Sequence, residues 1–236
     1  MTDDRTRTPL RVMSALAVEL AFNRSLVPDF TARTGRRTDF VWEPTTVLMR
    51  RIAGGERADV IVAIDAAMDE LEAGGILDPA TRRPLASAVL GLAVAPGAAH
   101  PDISTSDSFR EALLAAPSIA VSDGGASGIA FRQLVASLGI ADEIAAKSVT
   151  IPSGFTAAKI VSGEAQMAVQ QLSELMSVEG VEIVGPFPDG VQTVTPFSAA
   201  AFAGRAETAA DFLRHISSET ACRAYAAGGL VSRIDA

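Results

Sequence analysis

Residues 119–135, IAVSDGGASGIAFRQLV, run from an apolar strand through a turn rich in Gly and Ser straight into a helical pattern. The strand is expected at 118–122 and the helix from about 127. Such a junction is where a phosphate-binding loop would sit, but the motif G-x-x-x-x-G-K-[ST] is missing from 121–132, and so is G-x-G-x-x-G. A simpler device remains. Gly124, Gly125 and Gly128 let backbone approach closely, and Ser127 stands where a helix begins. The first N–H groups of a helix lack an intrahelical acceptor and lie at the positive end of its dipole, so they can hold an anion without a cationic side chain.

The same device recurs along the chain. VWEPTTVLMRRI places Thr45 and Thr46 behind a strand, VTIPSGFTAAKIV places Ser153 and Gly154, and RVMSALAVEL places Ser14. Taken singly, each is an ordinary cap. In an open parallel sheet such turns gather at the carboxyl edge, where ligands bind, and four of them facing one cleft would form an anion site.

The rest of the pattern is α/β. Strands are expected at LRVMS (10–14), TDFVW (38–42) and ADVIVAI (58–64), each followed by a helix, the first carrying Pro28, which predicts a break or kink. LASAVLGLAVAPG (85–97) reads as a long strand passing between lobes, SFREALLAA as a helix opened by a Ser108–Glu111 capping box, and ETAADFLRHISSETACRAYAAGG as one closing helix. Two lobes follow, 1–88 with 196–236 and 89–195, each a mostly parallel sheet flanked by helices, with crossings near 86–95 and 192–203.

Composition narrows the function. A net charge of −8 argues against nucleic acid, and no apolar run reaches a membrane span in a chain that is 48% hydrophobic. Cys222 is the only cysteine, and His100 and His215 lack metal-ligand spacing, so no disulfide, metal or cofactor is expected. The N-terminus MTDDRTRTPLRV has no apolar leader region. As written, the chain is expected in the cytoplasm, or in the periplasm if a leader has been removed.

LRVMSALAVEL, LMRRIAGGERADVIVAIDAAMDELEAGGIL, SGIAFRQLVASLGI and AYAAGGL together resemble the type II periplasmic binding proteins, and among them the molybdate-binding branch. The resemblance covers roughly 10–230. It implies two lobes, a ligand cleft between them, a monomer, and an ABC permease as partner if the protein is exported. It also implies that an oxyanion is held at Ala15 (beside Ser14), Thr45 (beside Thr46), Ser127 with Gly128, Ser153 with Gly154, and Gln171 or its neighbour Gln170. By that resemblance the family has a serine at the position of Ala15 and a tyrosine at that of Gln171 or Gln170. Gln side chains both donate and accept, which favours an organic polycarboxylate over a bare oxyanion. Arg50, Arg51, Arg132 and Lys159 are candidates to pair with its carboxylates. The resemblance extends to aconitate isomerases. For a cofactor-free isomerase of that kind, Glu43 and Asp123 are the candidate general bases. The expected order is a small-anion binding protein, then an isomerase, then a sensor domain like those of LysR-type regulators, although no helix-turn-helix segment precedes Leu10.

Overall fold

The computed structural model describes residues 8–234. β1 (Leu10–Ser14) leads through a 3-10 turn (Leu16–Val18) into a helix in three pieces: α1 (Glu19–Ala21), a π turn (Phe22–Leu26) and α2 (Val27–Thr34). Then come β2 (Thr38–Trp42), α3 (Thr45–Ala53), β3 (Val60–Ile64), α4 (Asp65–Ala73) and the long β4 (Arg83–Val94). α5 (Ser106–Ala115), β5 (Ile119–Ser122), α6 (Ala126–Ser137), α7 (Ala141–Ala145) and β6 (Ser148–Ile151) follow. The chain continues through α8 (Ala158–Val161), β7 (Met167–Gln171), α9 (Leu172–Leu175) and β8 (Glu182–Pro186). It closes with β9 (Val194–Ala201), α10 (Ala206–Ile216), α11 (Glu219–Ala227) and β10 (Val231–Ser232).

The chain forms two compact units, one of residues up to Ser87 and from Thr195 onward, the other Ala88–Val194. It leaves the first unit within β4 and returns to it at the start of β9. In the first unit β1 lies between β2 and β3, parallel to both, and β3 pairs antiparallel with β9. Its core joins Met13, Leu48, Ile61, Met68 and Phe202. An aromatic group of Phe22, Phe40, Trp42, Phe212 and Tyr225 closes the opposite face. In the second unit β5 is parallel to β6 and β7, while β4 runs antiparallel to β7 and β8. Apolar clusters cover both faces of that sheet, one around Phe109, Phe131 and Phe187, the other around Ala157, Ile160 and Leu175. Burying one such large side chain stabilises the fold by about 1.5–3 kcal/mol.

Three local expectations differ from the structure. Pro28 does not break its helix, and the irregularity falls as the π turn just ahead of it. Widening the turn separates the proline ring from the carbonyl one turn earlier, with which it would collide in a regular α-helix. The carbonyl of Leu26 at the end of that π turn lies 2.8 Å from Nε2 of buried His215, whose Nδ1 lies 3.0 Å from Nη1 of Arg33. A guanidinium can only donate, so Nδ1 accepts and Nε2 carries the proton given to Leu26. The cap of α5 is Thr105 with Ser108, one turn ahead of the expected Ser108–Glu111 box. The closing helix is two helices, because the chain leaves helical geometry at Ser217 and restarts after Ser218.

The glycines of 124–128 acquire a physical role here. A Cβ at Gly128 would overlap the carbonyl oxygen of Ser122 and stand 2.7 Å from its carbon, and one at Gly125 would stand 2.7 Å from Ser122 Oγ. The start of α6 therefore packs against the end of β5 at backbone contact, a distance that leaves no space for a side chain. Gly128→Ala is expected to cost about 1–3 kcal/mol or more by overpacking, read as a lower urea midpoint with an unchanged slope.

Candidate functional site

In the first unit the carboxyl ends of β1, β2 and β3 carry Ser14 and Ala15, Thr45 and Thr46, and Asp65 in turn. The Ser14 hydroxyl is fully buried and donates to the Ala15 carbonyl at 3.2 Å. The Ala15 N–H donates to Val62 at 2.9 Å, so Ala15 presents only its methyl group. α3 has Pro44 as its N-cap with no side-chain cap, and the N–H groups of Val47 and Leu48 both return to the Pro44 carbonyl. The N–H groups of Thr45 and Thr46 precede those bonds and have no acceptor within the helix. Thr45 is only 7% exposed as a whole residue, but its hydroxyl oxygen is not one of the fully buried side-chain atoms that lack a partner. Asp65, the first residue of α4, is a hub. It accepts from Ser198 Oγ at 2.6 Å, and Arg233 lies 2.9 Å and Arg82 3.6 Å from its carboxylate.

In the second unit Ser122 Oγ accepts the Gly125 N–H at 3.1 Å. The first intrahelical bond of α6 runs from Ile129 to Gly125, which leaves the N–H groups of Ala126, Ser127 and Gly128 without an acceptor in the helix. Ser127 is 4% exposed as a whole residue, and its hydroxyl oxygen is likewise not one of the fully buried side-chain atoms that lack a partner. Ser153 and Gly154 lie in the bend behind β6, where Gly154 adopts φ +88°. Gln170 is spent on that bend. Its Oε1 accepts the Thr156 N–H at 2.7 Å, and its Nε2 donates to the Gly154 carbonyl at 2.9 Å. Gln171 opens α9, where its backbone N–H donates to the Glu174 carboxylate at 3.3 Å. Thr156, which no spacing in the sequence marks out, is fully buried beneath this bend.

The candidate cations divide. Arg51 is held by Glu56 through two hydrogen bonds of 2.6 and 3.0 Å, and Lys159 by both oxygens of Glu164. Arg132 bonds the Ser122 carbonyl at 3.3 Å, and Arg50 is exposed. Glu43 is half-buried, with its N–H on the Ser14 carbonyl at 3.1 Å and its carboxylate 3.8 Å from Arg51. Asp123 is exposed and, with Phe131, Arg132 and Val135, lines a cavity of about 580 Å³ beside α6 and α7. Arg51's hydrogen bonds hold the Glu56 carboxyl below its usual range, and Lys159 does the same for Glu164. Among the described residues no group of three or more His, Cys, Asp or Glu could hold a metal ion, and no helix is long and apolar enough to cross a membrane.

Residues 10–231 match the model of the bacterial extracellular solute-binding proteins. The chain belongs to that family. Among its relatives is an aconitate isomerase from a Pseudomonas species, 33% identical over 230 residues that span 94% of this chain and 87% of the relative. Two solved structures share the fold. The periplasmic molybdate-binding protein of Azotobacter vinelandii has a TM-score of 0.74 at 20% identity, covering 94% of this chain and 98% of the other. The sulfate-binding protein SubI of Mycobacterium tuberculosis has a TM-score of 0.77 at 15% identity, covering 94% and 86%. The family's two-lobed type II architecture is thus the architecture of this solute-binding chain, as the sequence motifs imply.

Two outcomes are expected from this geometry. Since neither hydroxyl bonds within the protein, Thr45→Val and Ser127→Ala should each change unfolding free energy by less than about 0.5 kcal/mol, whereas Thr156→Val should cost about 1 kcal/mol or more. Urea titrations of the three variants check this. Glu56 and Glu164 have lowered folded pKa values, so their contribution is present above the ordinary Glu value of about 4.3 and is lost as pH falls through the folded values. Glu56→Gln should flatten that acid limb in unfolding midpoints taken from pH 7 to pH 3.

Proposed function

We propose that this solute-binding protein takes a small organic polycarboxylate, using N–H and hydroxyl donors of the turns at Thr45–Thr46, Ser127–Gly128 and Ser153–Gly154. One observation carries the reading. Thr45 and Ser127 are more than nine-tenths buried, each stands in the first turn of a helix behind a parallel strand, and each hydroxyl is unspent within the protein. Neither hydroxyl oxygen is sealed from solvent, so each is placed, beside N–H groups with no acceptor in their own helix, to exchange water for a ligand.

Two positions favour carboxylates over a tetrahedral oxyanion. Ala15 offers a methyl group and no free N–H, and Gln171 carries a carboxamide, so the hydroxyl donors of a molybdate-type site are missing at both. As a receptor, such a protein would deliver its ligand to an ABC permease.

A second reading is favoured by the relative of 33% identity, which is named for aconitate isomerisation. The reaction needs no cofactor. A base removes a proton from the methylene carbon of aconitate, the double bond shifts, and a proton returns at the other end of the allylic system. Glu43 and Asp123 are the candidate bases.

A thermal-shift panel of molybdate, sulfate, citrate, and cis- and trans-aconitate tests the first reading. A ligand at about 100 times its Kd adds roughly 2.7 kcal/mol, and the carboxylates should shift the melt while molybdate and sulfate do not. The reverse pattern overturns the polycarboxylate. Thr45→Val and Ser127→Ala should each lower affinity about tenfold or more, since a hydrogen bond to a charged group is worth about 1.5–3 kcal/mol. Mixing either aconitate isomer with the protein and following ultraviolet absorbance tests the second reading. Turnover that Glu43→Gln removes while binding persists would identify Glu43 as the base.

A further inference from the structure

Gln170 and Gln171 are adjacent on β7, both 2% exposed, and both are candidates to touch the ligand from sequence alone. The contacts of Gln170 assign it elsewhere. Its Oε1 lies 2.7 Å from the Thr156 N and 3.0 Å from Thr156 Oγ, and its Nε2 donates to the Gly154 carbonyl at 2.9 Å. The Thr156 hydroxyl, with one proton to give, also lies 3.2 Å from the Val169 carbonyl. One carboxamide thus binds both sides of residue 155. Gly154 adopts φ +88°, a conformation L side chains rarely take. Among the described residues no peptide bond is cis. In a trans peptide the C=O of Gly154 and the N–H of Phe155 point in opposite directions. Drawing that carbonyl onto Gln170 therefore turns the Phe155 N–H away from Gln170.

We infer that Gln170 is a positioning residue. It fixes the 154–156 turn so that the Phe155 N–H is presented for an anion, and it does not itself ligate the anion. The inference rests on the polycarboxylate reading for the identity of what is bound, but the positioning itself is a property of the turn. Thr156 is the diagnostic partner. It is fully buried, so it cannot touch a ligand, yet it shares the Gln170 acceptor.

The experiment is a double-mutant cycle on the whole protein, with trans-aconitate as the probe in calorimetric titrations. Thr156→Val and Gln170→Leu should each weaken binding about tenfold or more, the double variant should be no weaker than the worse single one, and Thr156→Ser should restore affinity to near wild type. Loss of affinity in Gln170→Leu with wild-type affinity in Thr156→Val would make Gln170 a direct ligand and overturn the inference. Wild-type affinity in both variants would overturn it as well. If Gln170→Leu does not fold, Gln170→Glu replaces it, because a carboxylate still accepts from Thr156 and loses only the donor to Gly154.

Hydrogen exchange of the unliganded protein separates this inference from the ligand reading. If wild type does not bind trans-aconitate, the polycarboxylate reading fails, and the exchange data alone judge Gln170. Gln170→Leu should lose protection at the Thr156 amide while the β7 amides keep theirs. Unchanged protection at Thr156 would overturn the positioning role.

Discussion

Parallel pairing of β1 with β2 and β3, and of β5 with β6 and β7, obliges the chain to cross back over each sheet before it can add the next strand. Each crossing starts at the carboxyl end of a strand, so helix starts collect along one edge of each sheet. Everything proposed about function depends on that constraint. It sets α3 behind β2, α4 behind β3 and α6 behind β5, each with its first N–H groups beyond the reach of its own carbonyls.

What distinguishes these helix starts is how their donors and acceptors are used. Asp65 at the start of α4 is consumed by Ser198, Arg82 and Arg233, so that edge position ties α4 to β9 and to the segment behind β10. Ser122 at the end of β5 is likewise consumed, since it accepts the Gly125 N–H and leaves its carbonyl under Gly128. Thr45, the first residue of α3, and Ser127, the second of α6, differ from these in that their hydroxyls are not tied to another side chain. The contrast is chemical. A polar group with an internal partner holds the fold, and one that meets only water is available to a ligand.

The close approach at Gly128 links packing to site. With a side chain there, α6 would have to lift off β5, and Ser127 one residue earlier would move with it. The glycines of this turn thus serve the helix–strand contact first and the ligand only through it. Gln170 plays the corresponding part at the 154–156 turn, where a side-chain amide does what backbone contact does at Gly128.

The order of strands and helices was legible in the sequence because periodicity reports which face of an element is buried. The turn residues Thr45 and Ser127 were legible because Gly, Ser, Thr and Pro act on their immediate neighbours. The family membership was legible in four segments spread along the chain. Other features were decided only by tertiary structure, since each depends on a partner distant in sequence. Gln170 finds Thr156 across 14 residues, Asp65 finds Ser198 across 133, and His215 finds Leu26 across 189. Nothing local in a Gln, an Asp or a His states which atom it will meet. The same holds for Ala15, whose N–H is taken by Val62, and for Gly128, whose missing side chain answers to the Ser122 carbonyl. Sequence fixes which groups each element carries to the sheet edge, and only the packing of the elements decides which of them are used up inside the protein and which are left to bind.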